Sequence, residues 1–204
     1  MKLQSIVLLS VLCGWSASAL AQQTEGSVDE GKAKSTTCVA CHGVDGNSPN
    51  PEWPNIAGQH PQYILKQLQA FKAGERQNPL MSPIAMTLSE EDMKDLAAFF
   101  SQQTLTGLEA DPAKVELGQR VYRGGDLEAN VAACSGCHGP AGRGNPTALY
   151  PSIQGQHATY VAAQLRAYRA GTRTTDQNAI MRDVTRTMSD EQIDAVAAYV
   201  QGLR

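Results

Sequence analysis

The sequence predicts an all-helical protein built as two tandem domains, and three observations carry that expectation. First, the chain repeats itself. Laying Pro54–Arg76 over Pro151–Arg173 (151 − 54 = 97) leaves twelve of 23 positions identical: Pro54, Ile56, Gly58, Gln59, His60, Tyr63, Gln67, Leu68, Ala70, Ala73, Gly74 and Arg76. Second, apolar residues recur at three- and four-residue spacing near the end of each copy: Met93, Leu96, Ala97 and Phe100, then Ile193, Val196, Ala197 and Val200. Third, no alternating strand pattern of useful length occurs.

Taken in order, Met1–Ala21 reads as a secretory signal peptide. Lys2 is its positive end, Ile6–Leu12 its apolar run, and Ala19-Leu20-Ala21 its small-x-small cleavage site. The apolar run is too short for a membrane-spanning helix, which needs about 20 residues. A short helix over Asp29–Ala40 then leads into Cys38–His42. Its counterpart covers Lys114–Tyr122 and reaches Cys134 through a turn. Gly31 lies seven residues before Cys38 but Gly118 lies 16 before Cys134, so the second copy carries an insertion near Arg123–Asp126.

Loops rich in Gly, Pro and Asn follow over 43–58 and 139–155. The middle helices run over Pro61–Ala73, with Pro in the first turn and Gly74 as the stop, and over Ala158–Ala170, stopping at Gly171. The final helices begin at Ser89 with Asp92 and at Ser189 with Gln192, the spacing of a capping box. The polar stretch Thr104–Pro112 separates the copies, which gives domains at 22–106 and 107–204 after the signal at 1–21.

The chemistry centres on Cys38-Val39-Ala40-Cys41-His42 and Cys134-Ser135-Gly136-Cys137-His138. Cys-x-x-Cys-His is the attachment signature of c-type haem: two thiols on one helical turn bond one porphyrin, and the next imidazole takes an axial position on its iron. Two alternatives are weaker. A four-thiolate zinc site usually separates its pairs by about 15 to 20 residues, whereas here 134 − 38 = 96, and it gives no reason for His after both pairs. A thioredoxin-like pair needs a βαβ pattern that is missing.

Cleavage would also remove Cys13, and the haem motifs then use all four remaining cysteines. The cleaved chain has 16 Lys+Arg, 17 less Lys2, against 20 Asp+Glu, a balance near −4. This balance argues against nucleic acid or an anionic membrane surface as the main partner.

His42 and His138 fill one side of each iron, and the repeat selects the other ligand. At an offset of 100, Met81 meets Met181, whereas Met86, Met93 and Met188 meet Arg186, Ile193 and Leu88. Met81 and Met181 are therefore the expected axial thioethers, placed in loops before the final helices; the other three are flexible core fillers. His60 and His157 are the rivals, also paired by the repeat, although at the mouths of the middle helices they suit capping an amide or reaching a propionate. Met/His ligation raises a haem's potential, whereas bis-His would lower it. A haem iron with both axial positions filled by side chains has no open position for substrate, which points to one-electron carriage. Trp53 and Tyr150, before the paired prolines, suit packing at a haem edge, and Arg76 and Arg173 suit either propionates or the surface.

These features, together with Cys41–Pro49, Gly58-Gln59-His60, Arg123-Gly124-Gly125 and Tyr199–Leu203, resemble the c4-type dihaem cytochromes c over essentially the whole cleaved chain. The resemblance implies two class-I-type cytochrome c domains about a pseudo-twofold axis, with covalent haem on Cys38/Cys41 and Cys134/Cys137. It implies His42 with Met81 and His138 with Met181 on the irons. It also implies a periplasmic carrier, at most peripherally associated with a membrane, passing electrons from respiratory-chain donors such as a quinol-oxidising complex or a dehydrogenase to a terminal oxidase. The competing expectations are a cytochrome subunit of a larger flavocytochrome-like dehydrogenase and, with less support, a dihaem peroxidase or thiosulfate-oxidising enzyme.

Overall fold

A computed structural model describes residues 26–204. The signal-peptide reading of Met1–Ala21, with Cys13, lies outside the described residues. Within them the protein is helical, and the only extended pairing is two isolated bridges, Asp126 with Val131 and Asn145 with Tyr150. The all-α, twice-built expectation holds.

In the first half, α1 (Val28–Lys34) and α2 (Thr36–His42) replace the single helix expected over Asp29–Ala40. The break is at Ser35, whose hydroxyl donates to the Lys32 carbonyl while its own carbonyl accepts from Cys38 N at 2.7 Å. Serine competes with the helix for backbone partners, and the break lets α2 turn so that its cysteines face inward. Gly43 ends α2 at φ 78°, where a Cβ would sit 2.2 Å from the Asn47 carbonyl oxygen. Only glycine turns the chain there.

The middle helix α3 (Pro61–Lys72) starts on Pro61 and gives way at Ala73 and Gly74. A short helix, α4 (Met81–Thr87), occupies what was expected to be loop around Met81. The final helix α5 (Glu90–Ser101) carries the expected capping box, with both reciprocal Ser89–Asp92 bonds made. Its apolar face buries Leu96, Ala97, Phe99 and Phe100 against Ile64 of α3.

The second half repeats the plan. Helix α6 (Pro112–Gly124) corresponds to α1, followed by the inserted segment closed by the Asp126–Val131 bridge. Helix α7 (Ser135–His138) carries the second motif, and α8 (Ala158–Arg169) is the middle helix. Met181 again lies on a short helix rather than a loop, α9 (Ile180–Thr185), entered through Asn178 and Ala179 at positive φ. The last helix, α10 (Asp190–Gln201), begins in a complete Ser189–Gln192 capping box. Ile193, Val196, Ala197 and Val200 bury with Val121 and Tyr122.

Glycine also sets the defining helix crossings. A Cβ on Gly31 would sit 2.0 Å from the Asp95 carbonyl oxygen, and one on Gly118 would sit 2.2 Å from that of Ala195. Both are far inside van der Waals contact. The entry helix of each half therefore lies directly on the backbone of its final helix. That crossing fixes the wall against which the Cys-x-x-Cys-His turn is held.

Candidate haem sites and the interface between them

One cavity of about 590 Å3 runs through both halves. Cys38, Cys41, His42 and Met81 line it in the first, and Cys134, Cys137, His138 and Met181 in the second. The remaining methionines expected to be fillers stay out of it: Met93 and Met188 are buried core and Met86 is exposed. Trp53 and Tyr150 line the cavity, as their places before the paired prolines suggested.

The histidines are prepared for a metal. His42 Nδ1 lies 2.9 Å from the Pro54 carbonyl oxygen and His138 Nδ1 lies 2.9 Å from that of Pro151. With the proton on Nδ1 donated to a carbonyl, the lone pair is left on Nε2, the arrangement that orients ligating imidazoles and fixes their tautomer. Burial pushes both imidazoles below their ordinary value, against a smaller opposing effect of those carbonyls. They are therefore neutral near pH 7.

One thiol of each motif is poorly set for thiolate chemistry. Burial, with the neighbouring Cys41 adding to it, pushes Cys38 up to about 11, and burial also pushes Cys134 up to about 11. A redox or zinc-binding cysteine works as the thiolate. All four motif cysteines are free of disulfides, and no three His, Cys, Asp or Glu side chains converge as a metal cluster among the described residues. The two pairs thus do not form a common four-thiolate site.

Apolar side chains close the space around each motif. Ile64, Leu68, Leu96 and Phe100 line the first part of the cavity, and Val161, Leu165, Val196 and Val200 the second. Such walls hold a porphyrin plane and keep water from its metal.

His60 and His157 take neither of the roles expected for them. Neither caps its helix, and neither lines the cavity. His60 Nε2 lies 2.9 Å from the Arg143 carbonyl oxygen and His157 Nε2 lies 2.9 Å from that of Ser48, so each ties its half to the other. Their neighbours do the same. Gln59 donates to the Ser152 carbonyl and accepts from Ser152 N at 2.8 and 2.9 Å; Gln156 donates to the Asn55 carbonyl and accepts from Asn55 N at 2.8 Å each.

Asn55 and Ser152 are equivalent in the repeat, as are Gln59 and Gln156. The glutamine bonds therefore mirror one another, as in a twofold, isologous contact, whereas Asn55 Nδ2 also donates to the Gly155 carbonyl at 3.0 Å with no counterpart from Ser152. These interface roles escaped sequence reasoning. The available signal was the identity of Gln59 with Gln156 and His60 with His157 in the repeat, which marks shared purpose but not a partner in the other copy.

Comparison with known proteins agrees with this geometry. The sequence model of the cytochrome c family matches residues 28–104 and again 115–204. A cytochrome c4 of Pseudomonas aeruginosa is 42% identical over 97% of this chain and 98% of its own length. A protein of Stutzerimonas stutzeri described as a thiosulfate dehydrogenase electron acceptor is 40% identical over 79% of this chain and 76% of its own. The crystal structure of reduced recombinant cytochrome c4 from Pseudomonas stutzeri superimposes with a TM-score of 0.85 at 44% identity, covering 88% of this chain and all of that one.

Proposed function

The chain belongs to the cytochrome c family, among the c4-type dihaem electron-transfer proteins with two covalently bound haem c groups, and on that footing we propose which of its residues do the work. Haem supplies a one-electron ferric/ferrous couple. Cys38 and Cys41 tether one group and Cys134 and Cys137 the other. His42 and Met81 would hold the first iron, and His138 and Met181 the second.

The observation that carries this reading is the pairing of each Nδ1-anchored imidazole with a methionine on the wall of the same cavity, Met81 and Met181, while the other methionines lie elsewhere. Neutral imidazole gives its Nε2 lone pair, and the thioether, a soft and uncharged donor, favours the ferrous state and raises the potential. Two side-chain donors on each iron would leave it closed to oxygen, peroxide or substrate, which suits carriage rather than turnover. The division at 106/107 belongs to the same proposal. It is supported by the non-helical stretch between α5 and α6, which lies between the two matched segments.

The donors and acceptors are redox proteins. In the first reading the protein is periplasmic, takes electrons from a quinol-oxidising complex or dehydrogenase and delivers them to a membrane oxidase. Among the described residues no helix is long and apolar enough to cross a membrane. The relative described as a thiosulfate dehydrogenase electron acceptor favours a second reading, a dedicated partner for one dehydrogenase.

A redox titration followed by spectra tests the ligands. Met81→His should lower one potential by a large step and leave the other nearly fixed, and Met181→His should do the reverse. If neither substitution moves a potential, the ligand assignment is wrong.

A further inference from the structure

Each motif imidazole is bonded to a peptide whose other end is held by the opposite half. The Pro54 carbonyl, which accepts from His42 Nδ1 at 2.9 Å, belongs to the same peptide unit as Asn55 N, and that N–H donates across the interface to Gln156 Oε1 at 2.8 Å. The mirror arrangement serves the second motif. The Pro151 carbonyl accepts from His138 Nδ1 at 2.9 Å, and Ser152 N, in the same peptide unit, donates to Gln59 Oε1 at 2.9 Å. A relay of hydrogen bond, planar amide and hydrogen bond thus runs from His42 into the second half, and another from His138 into the first.

The glutamines are held so that their oxygens face these peptides. Gln156 Oε1 also accepts from His157 N at 3.1 Å and Gln59 Oε1 from His60 N at 3.0 Å, while each Nε2 donates to the carbonyl of the residue it grips. Partners on both sides therefore fix which end of each side-chain amide points where. Gln156 and Asn55 are buried, whereas Gln59 and Ser152 are half-buried. Other bonds across the interface reach neither imidazole: His60 ends on the Arg143 carbonyl, and Arg76 Nη2 and Arg173 Nη2 end on the Tyr160 and Tyr63 hydroxyls at 2.9 Å each. Hydrogen bonds in series polarise one another, by about 10–30% per bond, and a low-dielectric interior strengthens the effect. A peptide whose N–H is held by an amide oxygen carries more negative charge on its own carbonyl. That carbonyl then accepts more strongly from the imidazole, which makes the ring a more basic ligand. A more basic ligand favours ferric over ferrous iron and lowers the potential.

We propose that the potentials are set crosswise: Gln156, in the second half, tunes the first haem through the Pro54–Asn55 peptide, and Gln59, in the first half, tunes the second through Pro151–Ser152. This rests on the axial-ligand reading above. Both glutamines are positioning residues, since each acts on a histidine it does not touch. The effect is reciprocal by linkage. Where the glutamine bond favours the ferric state, the ferric state tightens the glutamine bond, so the oxidation state of one half alters the grip of the other.

The test is a spectroelectrochemical titration of the holoprotein carrying Gln156→Leu or Gln59→Leu, with Met81→His and Met181→His assigning each potential to its haem. Gln156→Leu should raise the first potential, lowering the ferric-to-ferrous ratio about threefold at fixed potential, or about 28 mV at 59 mV per tenfold for a one-electron couple, and leave the second nearly fixed. Gln59→Leu should raise the second alone, by less, because its bonds are partly reached by water. In the reduced protein the proton resonances of His42 Nδ1 and Asn55 N should move upfield in Gln156→Leu while that of His138 Nδ1 stays, a response that a mere cross-link would not give. His60→Ala, which breaks an interface bond leading to neither imidazole, should move neither potential. Unmoved potentials in both leucine variants, a shift in the glutamine's own half instead of the opposite one, or an equal shift in His60→Ala would each overturn the proposal. Failure of the ligand reading is a different result: Met81→His and Met181→His would then move neither potential, whereas failure of the relay leaves those two shifts intact.

Discussion

The two halves make the same helix crossing with different chemistry. In the first, α1 is clasped to α5 by charge: Asp95, almost fully buried, accepts from Ser27 N at 2.6 Å and pairs with Lys34, which also reaches Asp92 at 2.9 Å. Ser89 and Lys34 hold the Asp92 carboxyl well below the usual carboxylate range. In the second, the residue equivalent to Asp95 is Ala195, and α6 meets α10 through Val121, Tyr122 and Val196. What both keep is the glycine at the point of closest approach. The backbone crossing is therefore the invariant, and the side chains around it were free to diverge once the gene doubled.

The helices that present Met81 and Met181 diverge likewise. Asn78 holds the first: its Oδ1 accepts from Leu80 N and Met81 N, each at 2.9 Å. An ion pair holds the second: the buried carboxylate of Asp176 accepts from Arg182 N at 3.0 Å and Arg182 Nε at 2.8 Å. Thr185, fully buried where the first half has Ala85, donates to the Met181 carbonyl at 2.8 Å. Different fastenings thus deliver an equivalent thioether.

The largest expected effect falls on the shared feature. Gly31→Ala and Gly118→Ala should each destabilise its own half by about 3 kcal/mol, because the new Cβ overlaps backbone that cannot step aside. Calorimetry that resolves the two halves checks this, and a substitution tolerated without loss would mean that the crossing is not glycine-determined. Asp95→Ala comes next, at about 2 kcal/mol confined to the first half. The figure is reduced because Lys34 is 30% exposed and water recovers part of its solvation. If the second half melts equally early, the clasp is not local.

The smallest effect concerns the fastenings. Asn78→Ala should cost about 1 kcal/mol and lower the temperature at which the first haem's sulfur-to-iron band disappears, with Asp176→Ala acting on the second haem only. Loss of both bands together in either variant would contradict independent fastening.

Much of this was legible in the sequence, for reasons that differ by residue. The capping boxes at Ser89 and Ser189 are local chemistry, and each formed as expected. That Met81 and Met181 line the cavity could be anticipated because duplication supplies an internal comparison that filters methionines lacking a counterpart. The break at Ser35 was hidden because a single serine within a helical pattern is ordinarily tolerated, and its bond back to the Lys32 carbonyl shows only in the folded chain. The short helices under the methionines were hidden because their seven- and six-residue spans carry little periodicity.

The roles of Gln59, His60 and Arg76 were hidden for another reason. Their partners lie in the other copy, and a repeat states that two residues are alike, not that each one bonds across to the neighbouring half.

The central claim is that each iron lies between an imidazole and a thioether. The near-infrared spectrum of the fully oxidised protein, read against its haem content, tests it most directly. The account predicts two covalently bound haems and a sulfur-to-iron band with the intensity of two Met-ligated irons. A band of half that intensity, or none, in a protein carrying both haems would contradict it.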